Sequence, residues 1–257
     1  MQNSFVTDAI NLKSYNLSES DKIIVMYSKD KGLIKGVAKG VKKTKSKLGA
    51  RMDMLVANTV MLHKGKNLNT ICQAEVLNTF SRTRTDLDKI FYSMYITEVV
   101  NNFGLEEDPS SNEIYDILYK SLNAVSNAKS KIEILLIVIK FQLKIMKISG
   151  FSLEFDNCLH CHEKVEDTTM FFVSELGGVV CEQCSKFIPY KKKQMPYKLR
   201  NFFREMALNE FDYIGEYEIK ANEKVCTVTF DVLKEYIELK SPKKLKSTSV
   251  LSELTAV

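Results

Sequence analysis

The sequence predicts an α+β protein of several domains: an N-terminal OB-fold β-barrel, followed by an α-helical bundle domain with an inserted four-cysteine zinc ribbon. Three observations support this fold class. Residues 1–80 contain five strand-like runs with no helical segment between them. From Thr85 onward the apolar spacing becomes that of amphipathic helices. Two Cys-x-x-Cys pairs then interrupt the helical part, and 257 residues are enough for two or three small domains.

The first 80 residues show the alternation and β-branched content that are typical of strands. The clearest pair, Lys22–Tyr27 and Leu33–Ala38, flanks a polar turn and predicts a β-hairpin. Cys72 alternates with polar neighbours in the last run, so we expect it to pack in the core. Five strands within about 75 residues suit a small closed barrel. The other runs are VTDAINLKSY, MLVANTVMLHKG and KNLNTICQAEVLNTF.

Three helical segments follow the strands. The first begins at a Thr/Asp cap near Thr85 and stops at Gly104, and the second follows Pro109. The third, KSKIEILLIVIKFQLKIMKISG, is apolar nearly all round, which predicts the central helix of a bundle ending at Gly150.

Two further segments lie beyond the cysteines. A helix after Pro196 places five apolar residues on one side: Leu199, Phe202, Phe203, Met206 and Phe211. The last segment is ambiguous, because Val225–Phe230 has strand propensity whereas residues 232–239 suit a helix. Cys226 in this segment is expected to be a core residue.

The four cysteines Cys158, Cys161, Cys181 and Cys184 form two Cys-x-x-Cys pairs with nineteen residues between the inner cysteines. Each pair directs two sulfur atoms to one point, and four thiolates in a tetrahedron are a typical structural zinc site. The spacer FFVSELGGVV reads as strand, tight turn and strand, which predicts a zinc ribbon. We therefore expect one structural zinc ion per chain.

Other interpretations of the cysteines remain open. Two disulfides would suit a secreted protein, but the N-terminal MQNSFVTDAI has neither a basic nor an apolar signal-peptide region. A cytoplasmic location, where thiols stay reduced, is therefore expected. A redox Cys-x-x-Cys would need only one pair, at the start of a helix. His160 and His162 flank Cys161 and are alternative metal ligands.

The positive charge is concentrated in the first third of the chain. The net charge is +5, and residues 1–80 hold 13 Lys and Arg against 6 Asp and Glu. Residues 29–51 alone hold nine basic residues and one acid, and Gly40–Ala50 is expected to be a mobile loop between strands. A solvated surface is the simplest interpretation, but a basic loop on a barrel also suits sequence-independent phosphate binding. The candidate DNA-binding residues are Lys39, Lys42, Lys43, Lys45, Lys47 and Arg51.

Single-stranded nucleic acids also need aromatic side chains on which bases stack. Tyr15, Tyr27 and Phe5 are candidates, although burial in the barrel would account for each of them. Enzyme signatures are missing: there is no P-loop motif, and the chain has three histidines. No catalytic residue is assigned. The longest apolar run, Ile134–Ile139, is too short to span a membrane.

The order of basic barrel, helical bundle and four-cysteine ribbon resembles that of the bacterial RecO recombination mediators. The most specific stretches are residues 19–49, Gly150 and the closing GGVVCEQC. Two positions depart from the family pattern. Arg51-Met52-Asp53 stands where many relatives have a Leu-Gln-Pro-type sequence. Many relatives also have a proline shortly after the glycine that corresponds to Gly150, and here it is replaced around Leu153.

The resemblance implies a non-catalytic mediator that binds single- and double-stranded DNA and anneals complementary strands. Its implied partners are the RecR protein, the C-terminal tail of the single-stranded DNA-binding protein SSB, and functionally the RecA recombinase. No membrane association is implied, and the protein would join the nucleoid during repair. Lysines and an arginine beside apolar helix faces are candidate rim charges for the SSB tail: Lys140, Lys144, Lys147, Lys198 and Arg200.

The predicted domains are an OB-fold DNA-binding domain at residues 1–80 and an α-helical domain at residues 81–257, with the ribbon inserted at residues 152–190. The main alternative is an RNA-binding or ribosome-associated protein built from the same modules. A weaker alternative, a nuclease, would need a carboxylate cluster that the sequence does not show.

Overall fold

The computed structural model describes residues 4–164, 168–208 and 222–248. The described residues fall into two compact units: a barrel unit within residues 4–127 and a ribbon unit within residues 128–248. The first two helices therefore belong to the same unit as the barrel. The predicted domain boundary after residue 80 stays a prediction.

Five strands close a barrel in the order β1-β2-β3-β5-β4, which is the predicted OB-fold arrangement. All neighbouring strands are antiparallel except β3 and β5, which pair in parallel over a short stretch. The β2–β3 hairpin turns at Gly32, whose positive φ of 67° suits glycine. The strands are β1 Ser4–Asn16, β2 Lys22–Ser28, β3 Gly32–Ala38, β4 Ala57–His63 and β5 Asn69–Asn78.

The expectation that Cys72 packs in the core was wrong. Met61 pairs with Gln73 and Leu62 pairs with Ile71, so Cys72 is the extra residue of a β-bulge. The bulge breaks the alternation on which the prediction rested. Ile71 is consequently buried, and the Cys72 thiol is exposed at the surface.

The segment between β3 and β4, which the sequence predicted to be a mobile loop, packs against the core of the barrel. Val41, Leu48 and Met52 are buried in the same apolar cluster as the inward-facing strand residues. A 3₁₀ turn at Gly49–Met52 positions the last of these side chains. The sequence pattern did not reveal these anchors, because they are separated by charged residues at irregular spacing.

Two helices complete the barrel unit: α1 Leu87–Phe103, capped by the Asp86 side chain, and α2 Ser111–Asn127. The loop between them lies against the β2–β3 turn, where the Leu33 amide donates to the Leu105 carbonyl at 2.8 Å. The buried Tyr27 hydroxyl donates to the Asp108 carboxylate at 3.1 Å. The first predicted helix and its stop at Gly104 are confirmed.

The ribbon unit combines helices with a three-stranded antiparallel sheet in the order β7-β6-β8. Its strongly apolar helix α3 is buried along most of its length, as the sequence predicted for a central helix. The third strand, β8, lies just beyond the predicted ribbon range of residues 152–190. The elements are α3 Lys131–Ile148, β6 Met170–Val173, β7 Gly178–Val180, α4 Glu182–Ser185, β8 Lys193–Met195, α5 Tyr197–Leu208 and α6 Glu223–Lys240.

The last segment, for which the sequence left strand and helix open, forms a single helix, α6, from Glu223 to Lys240. Its N-terminus is capped by Asn222, whose side-chain oxygen accepts a hydrogen bond from the Val225 amide at 2.9 Å. Cys226 is buried, so its predicted core position is confirmed. Phe203 and Met206 on α5 are also buried, whereas Phe211 lies outside the described residues.

Within the described ranges, no helix is both long enough and apolar enough to cross a membrane.

We expect Gly32→Ala to destabilise the barrel unit. A methyl group here would collide with the Leu105 carbonyl oxygen and approach the Asp108 Cβ to 2.7 Å, in a left-handed backbone. Backbone strain of about 1–2 kcal/mol adds to this collision, so the free energy of unfolding should fall by about 2–4 kcal/mol. Urea denaturation of the full chain, followed by circular dichroism, measures the loss.

The matched control for this substitution is Gly49→Ala. A methyl group at Gly49 meets nothing within 4 Å and its φ is not left-handed. The control should unfold like the parent chain, and equal stabilities for the two variants would contradict the proposed tight contact at Gly32.

Candidate nucleic-acid interface and metal centre

The basic loop between β3 and β4 forms one side of a surface cleft of about 340 Å³. The opposite side is contributed by β5, at the bulge described above. The four lysines of the cleft are all exposed. The lining residues are Lys39, Gly40, Lys43, Lys45, Ser46, Lys47, Leu48, Ile71 and Cys72.

The structure therefore brings together four of the six predicted DNA-binding residues. The other two are also exposed, but their side chains bind the protein backbone. The Lys42 ammonium donates to the Ser18 carbonyl at 2.9 Å, and the Arg51 guanidinium donates to the Lys47 carbonyl. Contact of any of the six with DNA stays a prediction.

Asp21 holds the start of the basic loop against the β1–β2 turn. Its carboxylate accepts a 2.7 Å hydrogen bond from the Gly40 amide, and the Lys42 amide donates to the Ser20 carbonyl at 3.0 Å. The sequence analysis did not identify Asp21, because only the return of the chain past this turn reveals its role.

The Gly40 amide, with the Ser20 hydroxyl, lowers the pKa of Asp21 below its ordinary value. The hydrogen bonds therefore favour the charged carboxylate in the folded protein. Their contribution to stability is present above the ordinary pKa of an aspartate and is lost as the pH falls through the lowered value. At neutral pH the anchor of the loop is fully formed.

The three candidate stacking residues have different environments. Tyr27 is buried, and this burial, with the adjacent Asp108 carboxylate, raises the pKa of its hydroxyl. Phe5 is half-buried, with the Lys31 ammonium 5.4 Å from its ring centre. Tyr15 is exposed. The structure therefore leaves Tyr15 as the candidate whose ring is most accessible.

The four cysteines of the paired motifs converge on one point in the ribbon unit. The sulfur atoms of Cys158, Cys161, Cys181 and Cys184 all lie within 4.8 Å of one another. A zinc ion with bonds of about 2.3 Å would place tetrahedral sulfurs about 3.8 Å apart, so the arrangement fits a tetrahedral ion after small adjustments. In the described part of the chain, this group includes neither His160 nor His162.

Each Cys-x-x-Cys pair is shaped by local backbone hydrogen bonds. In the first, the His162 amide donates to the Cys158 carbonyl at 2.8 Å, and His162 adopts a left-handed φ of 62°. In the second, the Cys184 amide points to the Cys181 sulfur at 3.5 Å. The Cys181 amide also donates to the Cys158 sulfur at 3.3 Å and so links the two pairs.

The backbone amides favour ionisation of one of the four sulfur atoms, that of Cys158. Burial of Cys158 opposes its ionisation, but the backbone amides of Cys161, Cys181 and His160 outweigh it and lower the pKa of this thiol to about 7. The thiolate is the form of cysteine that ligates metals. The site is therefore suited to a divalent ion that replaces the thiol protons.

The sheet beside the cysteines shares an aromatic core with the helices of its unit. The Phe155 ring lies 4.9 Å from that of Phe203 on α5 and 6.2 Å from that of Phe172 on β6, measured between ring centres. Phe172 also contacts Tyr236 on α6 edge-on. The ribbon thus has apolar support besides the cysteine cluster.

The prediction of rim charges for the SSB tail was wrong for two of its five residues. Lys140 and Arg200 are both buried, so neither can line the rim of a surface groove. Lys140 lies in the stretch of α3 from residue 134 to 143, in which every residue is buried. Arg200 lies over the Tyr197 ring and contacts the Met170 thioether. Lys147 and Lys198 are exposed, and Lys144 is half-buried.

Two family models cover almost the whole chain. The model described as "Recombination protein O N terminal" matches residues 1–80, and the one described as "Recombination protein O C terminal" matches residues 84–249. The first range coincides with the barrel strands, and the second contains the six helices of the described residues and the cysteine cluster.

Curated relatives agree with these matches. A DNA repair protein RecO from Desulforamulus reducens is 29% identical over 247 residues, which is 96% of this chain and 93% of the relative. The protein of the same name from Clostridium novyi is 27% identical over 97% of this chain and 94% of its own length. A third, from Dehalococcoides mccartyi, is 32% identical over 70% of each chain.

We expect the purified chain to contain one bound metal ion and Cys161→Ser to lose most of it. Removing one of four thiolates leaves an incomplete ligand set, and metal binding at such sites is coupled to folding. Elemental analysis measures the metal content. The helical circular dichroism should persist in this variant, because the aromatic core of the ribbon unit remains.

His162→Asn is the matched control, because asparagine tolerates the left-handed backbone and His162 is outside the cysteine group. This variant should keep its metal. Freshly purified parent protein without metal, with all four thiols open to alkylation, would contradict the assignment.

Proposed function

Because the chain belongs to the RecO family of DNA repair proteins, we propose that it is a non-catalytic mediator of recombinational repair that binds DNA through its barrel. The family match supplies the context of DNA repair. The proposal extends this context to DNA binding by a named surface of this chain and to the partners that such a mediator needs.

The observation that carries the proposal is the cleft lined by Lys39, Lys43, Lys45 and Lys47. Four exposed lysine side chains line one concave surface, and the repulsion between their charges is relieved when phosphates approach. Lysine neutralises phosphate charge without reading base sequence. Such a surface supports binding of both single- and double-stranded DNA, with strong salt dependence.

Annealing of complementary strands follows from the same electrostatics. Two DNA strands repel each other through their phosphates, and a surface that neutralises part of this charge lowers the repulsion between them. The cleft is open to solvent, so a bound strand can remain available for pairing. We therefore include strand annealing in the proposed function.

The proposed protein partners are RecR, SSB and, functionally, RecA, which the mediator would help to load on SSB-coated DNA in the cytoplasm. For the C-terminal tail of SSB, the exposed Lys147 and Lys198 remain candidate contacts in the ribbon unit. An acidic tail is attracted by exposed ammonium groups. The four-lysine cleft is the proposed DNA site, with docking of RecR as the alternative use of the same loop.

We assign one structural zinc ion to the cysteine cluster. Four thiolates suit zinc in a tetrahedral site, and a closed set of four protein ligands leaves no coordination position for a reacting water. This chemistry supports a role in holding the ribbon rather than in catalysis. Membership of a DNA repair family also favours DNA over the alternative of an RNA-binding or ribosome-associated protein.

Replacing Lys39, Lys43, Lys45 and Lys47 together by alanine should weaken DNA binding alike on every sequence. If all four contact phosphates, the log–log salt slope for a single strand should become shallower by roughly 0.7 per contact, or about 3 in total. Fluorescence anisotropy of labelled oligonucleotides over a range of salt concentrations gives the slope.

The control variant replaces four exposed lysines of the ribbon unit, Lys186, Lys191, Lys224 and Lys244, and so removes the same charge. Its salt slope should stay near that of the parent chain. A quadruple cleft variant that keeps its DNA slope but no longer binds RecR would assign the loop to the protein partner and overturn the phosphate assignment.

Cys72 gives an independent measure of whether DNA enters the cleft. Its thiol is exposed and lines the cleft beside the four lysines. Bound single-stranded DNA should therefore slow alkylation of Cys72 by iodoacetamide several-fold, as followed by peptide mass spectrometry. Cys72→Ser identifies the signal, and an alkylation rate unchanged at saturating DNA would place the DNA elsewhere.

A further inference from the structure

Tyr15 lies in a row of side chains on the outer face of the barrel. Tyr15 pairs with Ile23 on β2, and Ile23 pairs with Val37 on β3, so the three share one face of the sheet. The neighbouring row, Ser14, Ile24 and Gly36, points inward, because Ile24 belongs to the barrel core and a Cβ at Gly36 would meet Ile71. The Tyr15 row therefore faces outward.

The ring of Tyr15 is unusually accessible for an aromatic side chain of the barrel. Residues 4–80 contain four aromatic residues, of which Tyr27 and Phe80 are buried and Phe5 is half-buried. Tyr15 is 51% exposed. Its cross-strand neighbours Ile23 and Val37 are half-buried, so the ring extends an apolar strip and does not stand alone in solvent.

Positive charges flank this strip on two sides. The Lys13 ammonium lies 5.5 Å from the centre of the Tyr15 ring. The next row pairs Lys13 with Val25 and Val25 with Lys35, whose ammonium lies 3.8 Å from the Glu106 carboxylate. On the other side, the Lys42 ammonium binds the Ser18 carbonyl in the β1–β2 turn. An aromatic face beside an ammonium group, on a module that carries the basic loop, combines the two requirements of single-strand binding, stacking and phosphate neutralisation.

We infer that Tyr15 is a stacking platform for an unpaired base of single-stranded DNA. The inference rests on the proposed DNA-binding function and adds to it a residue that favours single strands. In a duplex the faces of the bases are stacked on one another, so the ring has no base face to contact. The lysines bind the phosphates of either form, whereas Tyr15 contributes only when bases are unpaired.

The resting contact of Tyr15 with Lys13 is the structural alternative. A cation over an exposed ring contributes about 0.5–1 kcal/mol and would account for an ordered tyrosine without any ligand. A purely structural role predicts a change in stability on substitution, but no difference between single and double strands. The experiment must therefore compare the two forms of DNA.

A spectroscopic test uses the absence of tryptophan from the chain. Tyr15→Trp places the sole tryptophan in the proposed platform and retains a stacking ring. Its emission should be quenched by a single-stranded oligonucleotide, and much less by an abasic strand of equal length or by duplex. Phe187→Trp, at an aromatic position that is 77% exposed in the ribbon unit, is the control and should respond to none of them.

The affinity test uses Tyr15→Ala. Loss of one stacking contact should weaken single-strand binding by about 5- to 150-fold, leave duplex affinity unchanged and keep the salt slope. Tyr15→Trp should restore the affinity. Equal weakening for single strands and duplex, or equal quenching by abasic and normal strands, would overturn the platform.

The outcomes separate this inference from the proposed function. If the parent chain binds no DNA, both fail. If the cleft lysines govern the salt slope while Tyr15→Ala binds single strands like the parent, the DNA-binding function stands and the platform is refuted.

Discussion

Three apolar side chains, Val41, Leu48 and Met52, hold the basic loop in the end of the barrel, and the arrangement of the lysines depends on them. Full burial of such a side chain contributes about 1.5–3 kcal/mol. Repulsion between two exposed ammonium groups at short distance is about 1 kcal/mol in water. The apolar anchors therefore outweigh the repulsion, and the loop can display several like charges without leaving the barrel.

A hydrogen bond also holds the start of the basic loop next to the β1–β2 turn. Asp21 ties Gly40 to the β1–β2 turn, and this turn follows the end of β1 that carries Tyr15. The exposed lysines of the basic loop and an accessible ring consequently lie on one module whose backbone is set by strand pairing. The arrangement needs no large apolar pocket, which agrees with a ligand that is a charged, extended polymer.

The ribbon unit is stabilised by two kinds of interaction. The cysteine cluster brings the two Cys-x-x-Cys pairs together, whereas the rings of Phe155, Phe172 and Phe203 join the sheet to the helices. Thiolate ligation depends on pH and on metal supply, and apolar packing depends on neither. We therefore expect loss of the proposed metal to act locally at the two Cys-x-x-Cys pairs, because the helices of the unit are also held by the aromatic core.

The sequence by itself determined the features whose cause is local. Strand alternation and the turn at Gly32 predict the barrel. The two Cys-x-x-Cys pairs predict a common site, because two residues between cysteines suffice to direct both sulfurs to one point. Tertiary structure decided the remaining features. The bulge that exposes Cys72, the enclosure that buries Lys140 and the cross-strand row that exposes Tyr15 all depend on how distant segments pair and pack. The hydrophobicity of one residue and its immediate neighbours carries no record of those partners, so burial of individual side chains becomes definite only when the chain is folded.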